Sequence, residues 1–119
     1  MEKAVVERLQ TFGIDEMEAR LYLTLLDYGS ETAGELVNVT GIARADVYKT
    51  LNGLFEKGMI EELSEGPSKY RAVPIDAVLD TAIFKQANHL RQMERSKQEL
   101  VELVNNQVPT RPSDITKRF

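Results

Sequence analysis

Residues 41–60 read GIARADVYKTLNGLFEKGMI and contain the side chains best suited to specific chemistry. Arg44 and Lys49 can donate hydrogen bonds to guanine O6 and N7 or to a phosphate. Asp46 can accept from a donor such as cytosine N4, whereas its charge repels phosphate. Thr50 can touch a thymine methyl group or donate its hydroxyl to a phosphate. These residue types are suited to reading the edges and backbone of a nucleic acid.

The apolar residues of the same segment recur at helical spacing. A helix is predicted over residues 44–57, with Val47, Leu51 and Leu54 on its inner face. Phe55 is expected beside them. The predicted outer face carries Ala45, Asp46, Lys49, Thr50 and Gly53, with Tyr48 at its border. Because a helix that only packs also has a polar outer face, this segment alone leaves both interpretations open.

Three helices are predicted before this segment. The first covers residues 2–12, the second ends near Tyr28, and the third is short and ends at Gly41. Capping-box spacings at residues 15–18 and 32–35 mark the starts of the second and third helices. The apolar stripe of the second helix is predicted to comprise Ala19, Tyr22, Leu23, Leu25 and Leu26. The sequence TGIA then joins two helices at a steep angle, as in a helix-turn-helix.

A two-stranded hairpin is predicted after the helix at residues 44–57. MIEEL and KYRAV have the composition of short strands, and SEGPS between them contains turn residues. The hairpin can act as a wing over about residues 64–69, with Ser68, Lys69 and Arg71 as phosphate partners. This order of elements is a winged helix-turn-helix, a domain type that binds either DNA or proteins.

A long helix is predicted after Pro74, because no glycine or proline interrupts residues 75–107. It would span roughly 45 Å, which is more than one small domain can cover. Residues 108–119 contain two prolines and are predicted to form a flexible tail. The predicted fold class is mainly α with a small β-hairpin. A winged helix-turn-helix domain over residues 1–74 precedes a long C-terminal coiled-coil helix.

Residues spaced alternately by four and three along the long helix form a coiled-coil seam. The a positions are Ile83, Leu90, Lys97 and Val104, and the d positions are Leu79, Gln86, Met93 and Leu100. Most of them are apolar, which predicts association of two copies through this seam. Lys97 and Gln86 are polar and favour two strands over a wider bundle. The alternative is a helix that folds back on its own domain.

Composition argues against several function classes. The chain of 119 residues has a net charge of -4 and no cysteine, which argues against disulfides, thiolate chemistry and nonspecific coating of nucleic acid. Residues 1–40 hold 3 Lys or Arg against 8 Asp or Glu, so the acidity lies mainly there. No membrane span, phosphate loop, or catalytic or metal-binding set is apparent. We expect a cytoplasmic protein that is not an enzyme and needs no metal or cofactor.

Four motifs, GIDEMEARLY, VYKTL, EKGMI and GPSKYRAVP, lie in one segment that covers over half of the chain. Together they resemble the N-terminal domain of the TrmB family of transcription regulators. The resemblance implies a winged-helix DNA-binding domain that acts as a dimer on promoters, and it assigns DNA reading to residues 44–50. Many relatives have a proline where Ala43 stands. Larger members continue into a ligand-binding domain, often for sugars, which we do not expect this chain to form.

The sequence therefore predicts a sequence-specific transcriptional regulator that binds double-stranded DNA as a homodimer. The helix at residues 44–57 would enter the major groove, which admits one α-helix. The wing would contact the backbone or an adjacent groove. A two-fold dimer presents two such helices, so the site should be near-palindromic, with half-sites about 34–36 Å apart. The alternative is a winged-helix module for protein–protein interaction in a larger assembly.

Overall fold

The predicted helices and hairpin strands appear in the predicted order, with one additional short strand, in a computed structural model, which describes residues 2–63 and 66–107. The elements are α1 (Glu2–Gln10), α2 (Glu16–Tyr28), β1 (Glu31–Thr32), α3 (Ala33–Thr40), α4 (Arg44–Glu56), β2 (Ile60–Leu63), β3 (Lys69–Ala72) and α5 (Ile75–Gln107). The predicted fold class is confirmed: a winged helix-turn-helix is followed by a long C-terminal helix. The tail predicted at residues 108–119 lies outside the described residues.

Both predicted capping boxes are present. The Asp15 carboxylate accepts from the Glu18 N–H at 2.8 Å, and the Glu18 carboxylate accepts from the Asp15 N–H at 3.0 Å. The Thr32 hydroxyl accepts from the Glu35 N–H at 3.1 Å, and the Glu35 carboxylate accepts from the Thr32 N–H at 2.9 Å. Each box satisfies two amides that the first helical turn would otherwise leave unpaired, so α2 and α3 begin where the sequence predicts.

Glycines end α3 and α4 by adopting positive φ. Gly41 is left-handed, with φ 72°, and its N–H donates to the Val37 carbonyl at 2.9 Å. After α4, the Gly58 N–H donates to the Phe55 carbonyl at 3.0 Å. The next N–H, that of Met59, reaches back to the Leu54 carbonyl at 2.9 Å. This paired arrangement is a Schellman motif and releases the chain directly into β2.

The wing is a three-stranded antiparallel sheet rather than a two-stranded hairpin. β3 lies in the centre, between β1 and β2. Leu63 pairs with Lys69 across the hairpin, which leaves the predicted five-residue loop between them. On the other side, Thr32 of β1 also pairs with Lys69. β1 has only two residues and therefore carries no periodicity by which the sequence could indicate it.

One hydrophobic core joins α1–α4, the wing strands and the start of α5. Leu21 and Tyr22 of α2 are both fully buried. The prediction that Leu26 belongs to the buried stripe is wrong, because 43% of this residue is exposed. α2 contacts α1, α3, α4 and β3, so its buried arc is broad and includes Leu21.

The chain divides into two units, with the boundary after Ile83. In the first unit, Val78 is buried and Leu79 is half-buried against the core. The first turns of α5 therefore stabilise the winged helix itself. In the second unit, residues 84–107 are helical and mostly exposed. The domain boundary predicted at residue 74 stays a prediction.

A buried carboxylate links the start of α2 to the end of α4. The Lys57 Nζ atom donates to the Glu18 carboxylate at 2.5 Å and to the Gly13 carbonyl at 2.7 Å. A Cβ atom added to Gly53 would lie 2.5 Å from the Glu18 Oε2 atom. The backbone of α4 thus approaches Glu18 more closely than any other residue type would allow.

We expect Gly53→Ala to lower the free energy of unfolding by about 1–2 kcal/mol, because the added methyl group must displace the Glu18 carboxylate from its partners. Alanine is otherwise the better helix former, by about 1 kcal/mol. Gly34→Ala is the matched control, since its Cβ would meet nothing closer than 3.9 Å. Urea unfolding followed by circular dichroism measures both. If Gly53→Ala stabilised the protein as much as the control does, the close approach of the α4 backbone to the Glu18 carboxylate would be contradicted.

The Tyr22 hydroxyl donates to the Val73 carbonyl at 2.5 Å. Burial, followed by the charge of Asp76, raises the pKa of Tyr22 from 10.0 to about 12. The hydroxyl's contribution to stability is therefore complete below pH 10 and is lost as the pH rises through 12. Tyr22→Phe should cost about 1 kcal/mol near neutral pH, because the carbonyl loses its donor.

The same variant should remove a late-titrating phenol from the absorbance titration of the folded protein. Tyr28→Phe is the control, because Tyr28 is an exposed tyrosine on the same helix. Equal unfolding free energies for the two variants would show that the Val73 contact contributes nothing.

Candidate nucleic-acid interface

The turn between α3 and α4 is held by the Thr40 hydroxyl and by the buried Ile42 side chain. The Thr40 hydroxyl donates to the Leu36 carbonyl at 2.6 Å and accepts from the Ile42 N–H at 3.2 Å. Ile42 is buried in the core. A polar and an apolar contact thus fix the residues that lead into α4. α4 itself begins after Ala43, which makes no side-chain cap.

The inner face of α4 is broader than predicted. Val47, Leu51 and Leu54 are buried as expected. Thr50 is only 7% exposed, so the prediction that it lies on the outer face is wrong. It stands three residues after Val47 and four before Leu54, which places it on their side of the helix. Gly53 was also expected outside, but it approaches Glu18.

Glu56 ends the outer face of α4, and six other exposed residues precede it on this face. Five of them are predicted site residues: Arg44, Ala45, Asp46, Tyr48 and Lys49. The sixth is Asn52, which the sequence reasoning missed. Asn52 lies one helical turn after Tyr48 and Lys49, so the same periodicity could have identified it. An asparagine amide can make two hydrogen bonds to adenine N6 and N7.

The predicted site residues of the wing differ in their solvent exposure. Ser68 and Arg71 are exposed, and Lys69 is half-buried. Arg71 Nη2 donates to the Glu61 carboxylate at 2.5 Å, across the β2–β3 pair. Both side chains are more than half exposed, so this ion pair contributes little to stability and can exchange. Residues 64 and 65 of the predicted wing loop lie outside the described residues.

An aromatic contact connects α4 to the wing. Phe55 and Tyr70 meet edge to face, with ring centroids 5.8 Å apart and an interplanar angle of 73°. Phe55 is 39% exposed, so it covers the sheet from the border of the core. Burial, together with the nearby Glu62 and Tyr48, raises the pKa of Tyr70. The wing and the outer face of α4 are therefore held as one surface.

Two carboxylates oppose the charge of Lys69. Burial and the neighbouring Glu35 raise the pKa of Glu31, which pairs in β1 opposite Tyr70. Hydrogen bonds from Thr32 lower the pKa of Glu35. Lys69 interacts electrostatically with both carboxylates. The cations of the wing thus lie beside acids, and the positive potential of this surface is modest.

Other kinds of site are not evident in the described part of the chain. Residues 2–63 and 66–107 contain no group of His, Cys, Asp and Glu side chains that could hold a metal ion. Among the helices of these ranges, none is both long and apolar enough to cross a membrane.

Comparison with protein families agrees with this geometry. Residues 9–76 match the family described as "Sugar-specific transcriptional regulator TrmB", over the region from the end of α1 to the start of α5. The chain belongs to the TrmB family. The predicted resemblance is therefore confirmed, and membership in a family of transcriptional regulators agrees with the prediction that the chain is not an enzyme.

Two curated TrmB relatives come from archaea. The sugar-sensing regulator TrmBL1 of Pyrococcus furiosus is 27% identical over 107 residues, which are 90% of this chain and 31% of the relative. The DNA-binding repressor TrmBL2 of Thermococcus kodakarensis is 29% identical over 111 residues, which are 89% of this chain and 42% of the relative. The chain thus spans less than half the length of either relative.

Solved structures show the same fold. A structure of TrmBL2, described as an archaeal chromatin protein, aligns with a TM-score of 0.74 and 29% identity. The alignment covers 92% of this chain and 44% of that one. Oxidised MarR from E. coli aligns with a TM-score of 0.55 and 17% identity, over 91% of this chain and 85% of MarR. At that identity the likeness to MarR shows the fold alone.

Proposed function

We propose that this TrmB-family chain is a sequence-specific, DNA-binding transcriptional regulator that acts as a homodimer. The observation that carries the proposal is the exposed face of α4, where Arg44, Asp46 and Lys49 stand together after a fixed turn. The TrmBL2 relative is named a DNA-binding repressor, which supports the same function. The matched region is the winged helix, so the sugar response of TrmBL1 is not carried over.

In the proposed complex, α4 lies in the major groove with its N-terminal half toward the base edges. Arg44 and Lys49 bond guanine or phosphate, and Asp46 accepts from a base amino group while disfavouring phosphate. Asn52 adds a contact one helical turn further along the exposed face of α4. The small side chain of Ala45 permits close approach of the helix to the DNA. Tyr48 reaches the backbone with its hydroxyl. Thr50 packs beneath this face and is not among the proposed contacts.

The wing contributes phosphate contacts in this proposal. Ser68 and Lys69 flank the hairpin loop, and Arg71 can exchange Glu61 for a phosphate oxygen. With Arg44 and Lys49, the surface offers at most a few cationic phosphate contacts. Each phosphate neutralised contributes about -0.9 to the slope of log affinity against log salt. We therefore expect a shallow salt dependence, no steeper than about -4 per protomer.

The seam of α5 supports the proposed dimer. Leu90 is 58% exposed and Leu100 is 57% exposed in the single chain. Exposed apolar residues repeated along one helix face mark an association surface. A two-fold dimer would present two copies of α4 to a near-palindromic site, with half-sites about 34–36 Å apart.

Specific binding should weaken by about 1–3 kcal/mol in each of the variants Arg44→Ala, Lys49→Ala and Asn52→Ala, because each loses a proposed hydrogen bond to the DNA. The DNA site would first be selected from genomic fragments, and fluorescence anisotropy would then measure affinity over a salt titration. Arg20→Ala is the control, because it removes an exposed arginine from α2. Equal affinities for all four variants would remove α4 from the reading surface. Failure to enrich any DNA sequence would favour the protein-interaction module.

Leu90→Glu combined with Leu100→Glu should produce monomers, because charges at two seam positions oppose burial of the stripe. Light scattering coupled to size-exclusion chromatography gives the mass. The control combines Arg91→Glu with Gln98→Glu, at exposed positions outside the seam. A seam variant with the mass of a dimer would show that the interface lies elsewhere.

A further inference from the structure

The polar residues of the α5 seam are placed symmetrically. Gln86 is the third seam residue counted from Leu79, and Lys97 is the third counted from Val104 at the other end. Both lie within one uninterrupted helix and are exposed in the single chain. Leu90 and Met93 separate them. The arrangement therefore looks the same from either end of the seam.

A parallel pairing of two copies would bring equal positions together. Lys97 would then face the partner's Lys97, which places two ammonium groups against each other beside an apolar seam. Partial desolvation makes such like-charge contacts costly. The parallel arrangement would also bring His89 near the partner's Glu94, but an exposed pair of this kind contributes little. The identity of residue 97 thus opposes parallel pairing.

We infer that two copies of α5 pair antiparallel, in the register that places Lys97 against the partner's Gln86; this inference rests on the homodimer proposed above. In an antiparallel coil each a position faces a d position of the other helix. The Lys97 ammonium donates to the amide oxygen of the partner's Gln86, and the two-fold axis repeats this contact. The two polar residues therefore satisfy each other.

The other facing pairs of this register are all apolar. They are Leu90 with the partner's Met93 and Ile83 with the partner's Leu100. Leu79 is half-buried against its own core, and its remaining exposed part would meet the partner's Val104. Beside the seam, the nearest pairs are Ala82 with the partner's Leu103, His89 with the partner's Ser96, Ala87 with the partner's Glu94, and Asp80 with the partner's Val101. None of these four flanking pairs brings two like charges together.

A shift of the partner by one heptad in either direction destroys this match. One shift places Lys97 against the partner's Leu79, and the other places it against the partner's Met93. In both cases Gln86 also faces an aliphatic residue, and the apolar overlap becomes shorter. A buried polar group without a partner is costly, so the single matched register is favoured over both neighbours.

Gln86→Glu distinguishes the two orientations by the sign of its effect. In the antiparallel register the new carboxylate faces the partner's Lys97 and forms two symmetric ion pairs. The dimer should then become about 5- to 30-fold tighter at low salt, and the gain should shrink at high salt. In a parallel coil the same substitution places two carboxylates together and weakens the dimer. Sedimentation equilibrium of the full chain measures the dissociation constant.

Gln98→Glu is the matched control, because it adds the same charge outside the seam. A dimer of Gln86→Glu that is weaker than wild type, or no tighter than this control, overturns the register.

Cysteine cross-linking tests the geometry directly, since the natural chain contains no cysteine. A mixture of the Ile83→Cys and Leu100→Cys variants should form a mixed disulfide on mild oxidation. Neither variant alone should cross-link, because equal positions would lie about 25 Å apart, far beyond disulfide reach. Cross-linking of each variant with itself overturns the antiparallel register but leaves the homodimer intact. A monomeric wild-type chain would instead overturn the homodimer and the register together.

Discussion

The burial of the Glu18 carboxylate is the constraint on which the position of α4 depends. The same carboxylate caps α2 and receives the Lys57 ammonium from the end of α4. A buried charge is tolerated only with such partners. Gly53 lets the backbone of α4 come close enough for this to happen. Polar contacts fix the C-terminal end of α4, and the turn at Thr40 fixes its start, so its exposed face is held at both ends.

The charges of the proposed interface suit selectivity better than strong general attraction. Arg71 pairs with Glu61, and Lys69 interacts with Glu31 and Glu35. Asp46 adds a negative charge in the row of exposed α4 residues. A surface of this kind gains little from phosphate attraction alone, and its affinity would come from complementary base edges. The overall charge of -4 is compatible with such a reader, because its acidity lies largely outside α4 and the wing.

The features that could be predicted from sequence are those with local causes. Capping boxes involve residues three apart, and the glycines at positions 41 and 58 act through their own backbone. The starts of α2 and α3 and the ends of α3 and α4 followed from these signals. The errors arose where packing between distant elements decides: Thr50 faces inward and Leu26 outward because several elements share the surfaces of α2 and α4. β1 forms only because β3 offers it an edge.

The candidate site was predicted less completely than the fold. Polarity placed Thr50 outside, whereas its helical position places it inside. Helical position would also have placed Asn52 on the outer face. The roles of individual residues toward DNA depend on the shape of a molecule that this sequence does not specify. The seam of α5 differs, because a partner with an identical sequence is fully specified, and its facing pairs can be worked out residue by residue.

Both backbone polar groups of Val73, the last residue before Pro74, form hydrogen bonds within the winged helix. Its N–H donates to the Met59 carbonyl at 2.9 Å, and its carbonyl accepts from Tyr22. The winged helix thus sets the starting point of α5 with its own groups. Val73 and Pro74 thus form a fixed attachment point for α5. The partners of Val73 all lie within the winged helix, so this attachment does not depend on the later turns of α5.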